Sequence, residues 1–174
     1  MDYITHLTER MLLHTAGDPK RAQHFLKVHA FAHLIGQKEG LCAEDQFILE
    51  TAALVHDIGI YAAQERHGST AGIYQEMEGP ALAETMLYDL GFPEKVIPRV
   101  AELVGRHHTF APNLPPDHQI LMEADALVNL YEDGAAKEQI LGVYHALFRT
   151  KYGRSLCRIM FGLPIEADSA SAEK

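Results

Sequence analysis

The run Ala-Ala-Leu-Val-His-Asp-Ile-Gly at residues 52–59 sets the strictest condition on how this chain can fold. Six of its eight residues are apolar or glycine, and His56 and Asp57 stand side by side among them. Upstream, the chain after Glu50 is apolar almost all round, the pattern of a central helix. Gly59 is placed to stop that helix, because glycine takes the left-handed conformation cheaply. His56 and Asp57 then fall in the last turn, where free carbonyls carry partial negative charge. A carboxylate there, in apolar surroundings, is unfavourable twice over unless a cation lies beside it. That cation is either an arginine or lysine, or a metal ion.

Composition narrows the partners. With 174 residues, 47% of them hydrophobic, the chain suits one domain with a sizeable core, expected over residues 1–165. The end, residues 166–174, is small and polar and is expected to be a disordered tail. A net charge of -9 argues against a nucleic-acid polymer and leaves a small phosphorylated molecule bound at a local site. Cys42 and Cys157 match no zinc or redox spacing. No signal-peptide pattern opens the chain, and no apolar run approaches the ~20 residues of a membrane helix. The expectation is a cytoplasmic protein without membrane contact; a homo-oligomer is left open. Eleven histidines invite a search for a metal site.

Helical periodicity organises the chain. A first helix spans about residues 2–15 and is broken by Gly17-Asp18-Pro19. Asp18 caps a second, over residues 19–37, with Pro19 in its first turn. On this helix His24, Val28, Phe31 and Ile35 share the apolar stripe, whereas His29 and His33 face outward. The third helix, about 44–58, delivers His56 and Asp57. Residues 59–79, rich in glycine and charge, read as a long loop with a short helical turn, a candidate lid. Gly79-Pro80 opens the next helix. Another, from residue 94, carries two apolar stripes that end in His107 and His108. After a proline-rich loop at 109–116, Asp117 caps a helix on which Leu121, Asp125 and Val128 share one face. Asp133-Gly134 ends it. A helix at 135–149 and a short last helix to 161 follow. With no convincing strand, the fold class is all-α, a bundle of seven or eight helices.

His24, His56, Asp57 and Asp125 thus come from three helices, each on or at the end of an apolar element. Two imidazoles and two carboxylates suit a first-row divalent metal. No lysine or arginine falls on these apolar faces, which favours the metal over an ion pair. The order His24, then His56-Asp57 in Ala-Leu-Val-His-Asp-Ile-Gly, then Asp125 in Glu-Ala-Asp-Ala-Leu resembles the HD-domain metal-dependent phosphohydrolases over roughly residues 18–130.

The resemblance implies that His24, His56, Asp57 and Asp125 bind metal in an all-helical bundle. It also implies cleavage of phosphate esters or anhydrides, often in nucleotides. In two-metal members a His-His pair at the place of His107 and His108 serves a second ion, and the aspartate at the place of Asp57 bridges both. Those members also carry a histidine near residues 75–79; here Glu76 and Glu78 are the candidate substitutes. Ile60 stands where a lysine follows the His-Asp pair by three. The number of ions, one or two, is therefore open, and Mn, Mg, Co, Ni and Fe all suit the donor set. With a single ion, His107 or His108 becomes a phosphate contact or proton donor. Asp57, His107 and Lys27 are the catalytic candidates, Lys27 and Arg106 being basic residues near the site. Arg149, Lys151, Arg154 and Arg158 form a local positive cluster, read as solvated surface. The expected function is a metal-dependent phosphohydrolase of a small molecule, first of all a nucleotide. The alternatives are a catalytically silent metal- or ligand-binding module and a di-iron HD-type oxygenase.

Overall fold

In the computed structural model, which describes residues 2–164, nine helices and no strand are found among the described residues. They are α1 (Tyr3–His14), α2 (Pro19–Glu39), α3 (Ala43–Val55), α4 (Ile60–His67), α5 (Gly72–Asp89), α6 (Ile97–Val104), α7 (Pro116–Glu132), α8 (Lys137–Leu147) and α9 (Lys151–Phe161). The all-α class holds. The count exceeds seven or eight because residues 59–79 are not a loop: they hold α4 and the first turns of α5. The tail expected at 166–174 lies outside the described residues. No described helix is long and apolar enough to cross a membrane.

The local signals act where expected at several ends. Asp18 accepts the Arg21 N–H at 3.1 Å and starts α2 with Pro19 in its first turn. Gly40 ends α2 in the left-handed conformation. Helix α3 is central: Leu49, Ala52, Ala53, Leu54 and Val55 are fully buried, and it packs on α1, α2, α6 and α7. Helices α2 and α7 also pack on each other, so the three elements that carry His24, His56-Asp57 and Asp125 meet pairwise.

Gly59 departs from its sequence reading. Helix α3 stops at Val55, and Gly59 has φ -75°, not a left-handed value. Its need for glycine is a close approach instead. A Cβ there would meet Gly79 N at 2.7 Å and Gln75 O at 2.8 Å. Helix α5 therefore crosses directly over the start of α4, and Gly79 in turn has Val104 Cγ1 at 2.6 Å from where its own Cβ would be. The same crossing corrects the helix start expected at Gly79-Pro80. Pro80 lies inside α5. A proline usually interrupts a helix by removing one N–H, but here packing on α4 and α6 carries α5 through it.

Two carboxylates tie the bundle in ways the sequence did not announce. Asp117, expected as a helix cap, accepts both Arg99 Nε (2.9 Å) and Arg99 Nη2 (2.7 Å), which links α7 to α6. Glu123, fully buried on α7, accepts the backbone N–H groups of Arg149 (2.6 Å) and Thr150 (2.9 Å), the Gln119 amide (2.8 Å) and the Thr150 hydroxyl. It anchors the start of α9, where orphan N–H groups favour a carboxylate.

Candidate metal centre

His24 lies on the buried stripe of α2 with Val28 and Ile35, His56 caps the C-terminus of α3, and Asp125 sits on the inner face of α7. Their atoms converge. His24 Nε2 is 3.2 Å from His56 Nε2, 3.2 Å from Asp125 Oδ1 and 3.7 Å from Asp57 Oδ2. His56 Nε2 is 3.5 Å from Asp125 Oδ1 and 3.7 Å from Asp57 Oδ1. His107, from the turn after α6, adds its Nε2 at 3.4 Å from Asp57 Oδ1.

Each imidazole is held by its other nitrogen. His56 Nδ1 donates to the Ala53 carbonyl at 2.9 Å and His107 Nδ1 to the Val104 carbonyl at 2.8 Å. Both carbonyls belong to helix ends with acceptors to spare. His24 Nδ1 bonds Glu132 Oε2 at 3.1 Å, and Glu132 Oε1 accepts from Lys27 Nζ at 2.6 Å. A carbonyl can only accept, so Nδ1 of His56 and of His107 carries the hydrogen, and the neutral ring turns a lone pair on Nε2 into the centre.

This arrangement asks for a cation. Two imidazole Nε2 atoms face each other at 3.2 Å beside two carboxylates, and His107 Nε2 is buried, 3.4 Å from Asp57 Oδ1 but with no well-formed hydrogen bond among the described residues. Burial opposes the charge on Asp57, but His56 and His107 hold its carboxyl below the usual range. Burial likewise opposes ionised Asp125, and His24 and His56 overcome it. Conversely, burial disfavours protonated His24 and His56, yet the carboxylates of Asp125 and Asp57 raise both. The all-N/O donor set, with second nitrogens already anchored, fits a divalent ion.

Five of the donors fall into two groups whose ligand atoms lie within 4.8 Å of one another, His24, His56 and Asp57, and Asp57, His107 and His108; Asp125 is in neither, but its Oδ1 is 3.2 Å from His24 Nε2 and 3.5 Å from His56 Nε2. Asp57 belongs to both. Glu76 and Glu78 belong to neither. Glu76 accepts the His108 N–H at 2.9 Å and the Thr109 hydroxyl at 3.0 Å, so it holds the His107-His108 turn by its backbone. Glu78 is taken up by Arg66 and by His67 Nε2 at 2.9 Å. Lys27 reaches the centre only through Glu132. Arg106 is half-exposed and near Glu102, at 3.9 Å. Arg149, from the basic cluster, donates to the carbonyls of His145 and Phe148 at the end of α8.

One expectation fails: a cation does stand near. Arg21 Nη1 lies 3.7 Å from Asp57 Oδ2. It occupies the turn before His24, three residues ahead on the same helix face, which is the signal that could have found it. Its single charge does not balance Asp57 and Asp125 together. Asn129, which donates to Asp125 Oδ1 at 2.9 Å, and Glu132 were also missed. They follow Asp125 at i+4 and i+7, one polar stripe down α7.

The HD domain family model matches residues 21–130, well over half of the chain. Among curated proteins and among solved structures, none is significantly similar. The matched span begins at Arg21, just ahead of His24, and runs past Asp125, so it takes in every donor described above, and the chain belongs to the HD domain family.

Proposed function

We propose that the protein is a metal-dependent phosphohydrolase that cleaves a phosphate ester or anhydride of a small molecule, a nucleotide first among them. The observation that carries this reading is the convergence of three anchored Nε2 atoms on Asp57 and Asp125, with His107 Nε2 buried and without a well-formed hydrogen bond among the described residues. His24, His56, Asp57 and Asp125 would hold one divalent ion, and Asp57, His107 and His108 a second. A bound ion polarises a phosphoryl oxygen and brings the pKa of its water from 15.7 towards ~7.

The chain's own groups do the rest. Glu132 orients the His24 ring, and Lys27 holds Glu132 in place. Asn129 fixes the Asp125 carboxylate. Arg21, about a third exposed beside Asp57, has guanidinium donors to spare for a phosphoryl oxygen.

The test is a panel of phosphate esters and nucleotides assayed with Mn, Mg, Co, Ni and Fe, beside an Asp57→Ala variant. Asp57→Ala is expected to lose activity and bound metal together while its helical circular dichroism persists. Activity that survives without Asp57 refutes the reading. Two irons per chain with no ester turned over would redirect it to oxygenase chemistry.

A further inference from the structure

Beside the metal centre a cavity of about 350 Å³ runs between α7 and α8. Its inner end is formed by Asp125, His107 and His108. Its walls are Met122, Leu130, Val143 and Leu147, and its outer rim carries Asp133 and Gln139. The size and the mix of apolar wall with a few polar groups suit a small organic ligand.

The charges of the lining are more selective than its size. Among the described residues no lysine or arginine lines this cavity, whereas a carboxylate stands at each end, Asp125 within, on the metal side, and Asp133 at the rim. Of the nearby cations, Lys27 is held by Glu132, Arg21 lines a different crevice on the other side of Asp57, and Arg106 faces Glu102 at 3.9 Å. A chain of further phosphates running out along this cavity would meet the Asp133 carboxylate at the rim and, among the described residues, no guanidinium or ammonium partner in the lining. The amides, by contrast, offer an edge. The Asn129 NH₂ donates to Asp125, which leaves its oxygen as an acceptor. The Gln139 oxygen accepts the Ala136 N–H at 3.1 Å, which leaves its NH₂ as a donor.

We infer that this cavity seats the leaving group of the substrate, an uncharged ring-bearing alcohol of nucleoside type, so that the substrate is a phosphomonoester and not a di- or triphosphate. The inference rests on the phosphohydrolase reading and narrows it. In the reaction the oxygen of water bonds to phosphorus and the bond from phosphorus to the alcohol oxygen breaks. One proton from water ends on the departing alcohol, and the other product is inorganic phosphate. The apolar walls take the ring faces, and Asn129, Asp133 and Gln139 take its hydrogen-bonding edge.

The experiment uses the metal-loaded full chain and the 5′-mono-, di- and triphosphates of adenosine, guanosine, cytidine and uridine. For at least one base, kcat/KM is expected to favour the monophosphate over its matched di- and triphosphate by at least about tenfold, and Asp133→Lys to narrow that ratio by about tenfold. Calorimetric titration of the free nucleosides gives a readout independent of turnover. Saturable binding is expected, and Val143→Trp, which fills the cavity from α8, should abolish it while metal content and melting temperature hold. Hydrolysis that prefers triphosphates overturns the inference and leaves the phosphohydrolase reading standing. Nucleosides that bind Val143→Trp as well as the unaltered protein also overturn it. If no phosphate ester is turned over, yet nucleosides bind and Val143→Trp abolishes that binding, the phosphohydrolase reading falls and the leaving-group assignment with it, and the cavity is a nucleoside-binding site only.

Discussion

Replacing Glu132 by alanine tests whether His24 is a metal ligand without touching any proposed ligand. The Glu132 carboxylate bridges His24 Nδ1 (3.1 Å) and Lys27 Nζ (2.6 Å), and only 11% of its side chain is exposed. Burial works against its charge, but Lys27 and His24 hold its carboxyl below the usual glutamate range. In Glu132→Ala the Nδ1–H of His24 loses its acceptor, and the ring loses the contact that aims Nε2 inward. Loss of such a partner typically lowers metal affinity by about 10–100-fold, which is about 1.4–2.8 kcal/mol. The Lys27 ammonium also loses its counter-ion one turn from His24, and an uncompensated positive charge there acts in the same direction. Glu132→Gln keeps an acceptor for His24 without the charge and should fall between the two. The assay is competitive titration of Mn or Co against a chromophoric chelator at fixed pH. Affinity in Glu132→Ala within about twofold of the unaltered protein would refute the reasoning, since a ligand that has lost its orienting partner cannot bind equally well.

Two further predictions concern the fold. Gly59→Ala puts a methyl group against the backbone of Gly79 and Gln75, which no rotamer change can relieve. Overpacking of this kind costs about 1–3 kcal/mol, and the backbone clash places it near the upper end; urea unfolding measures it, and an unchanged midpoint would show that α5 does not press on this turn. Glu50 accepts from His33 Nδ1 at 2.8 Å and from the Gln46 amide at 2.7 Å, with His29 Nε2 at 3.3 Å. Although burial opposes its charge, these contacts lower its pKa from 4.5 to about 2. A depressed folded-state pKa adds stability that is fully present above about 4.5 and is lost as the pH falls towards about 2. The stability difference between the unaltered protein and Glu50→Gln should therefore shrink as the pH falls from about 5 towards about 2, as measured by urea unfolding across that range. A difference that stays constant down to acid pH contradicts this.

Much of the centre was readable because helical periodicity is a one-dimensional signal. His24 shares a stripe with Val28 and Ile35, and Asp125 shares one with Leu121 and Val128, so their inward placement follows from spacing alone. Arg21 and Glu132 obey the same rule, at three residues before His24 and seven after Asp125, but they stand in the first turn of α2 and at the end of α7, beyond the apolar runs that mark the buried stripes. Other features were not local. Gly59 needs glycine because Gly79, twenty residues on, crosses it, and no pattern near Gly59 distinguishes that from a helix stop. Glu123 is buried because the turn at Arg149 and Thr150 brings N–H groups to it, a contact visible only once α8 and α9 are folded back. Glu76 sat close enough in sequence to look like a ligand, yet its partners are the backbone and hydroxyl of the turn it supports.

The most direct measurement is anomalous diffraction from crystals of the metal-loaded protein. The account predicts an ion about 2.0–2.2 Å from His24 Nε2, His56 Nε2 and one oxygen each of Asp57 and Asp125. Metal-loaded protein with no ion at these four atoms, Arg21 filling the space between Asp57 and Asp125 instead, would contradict it.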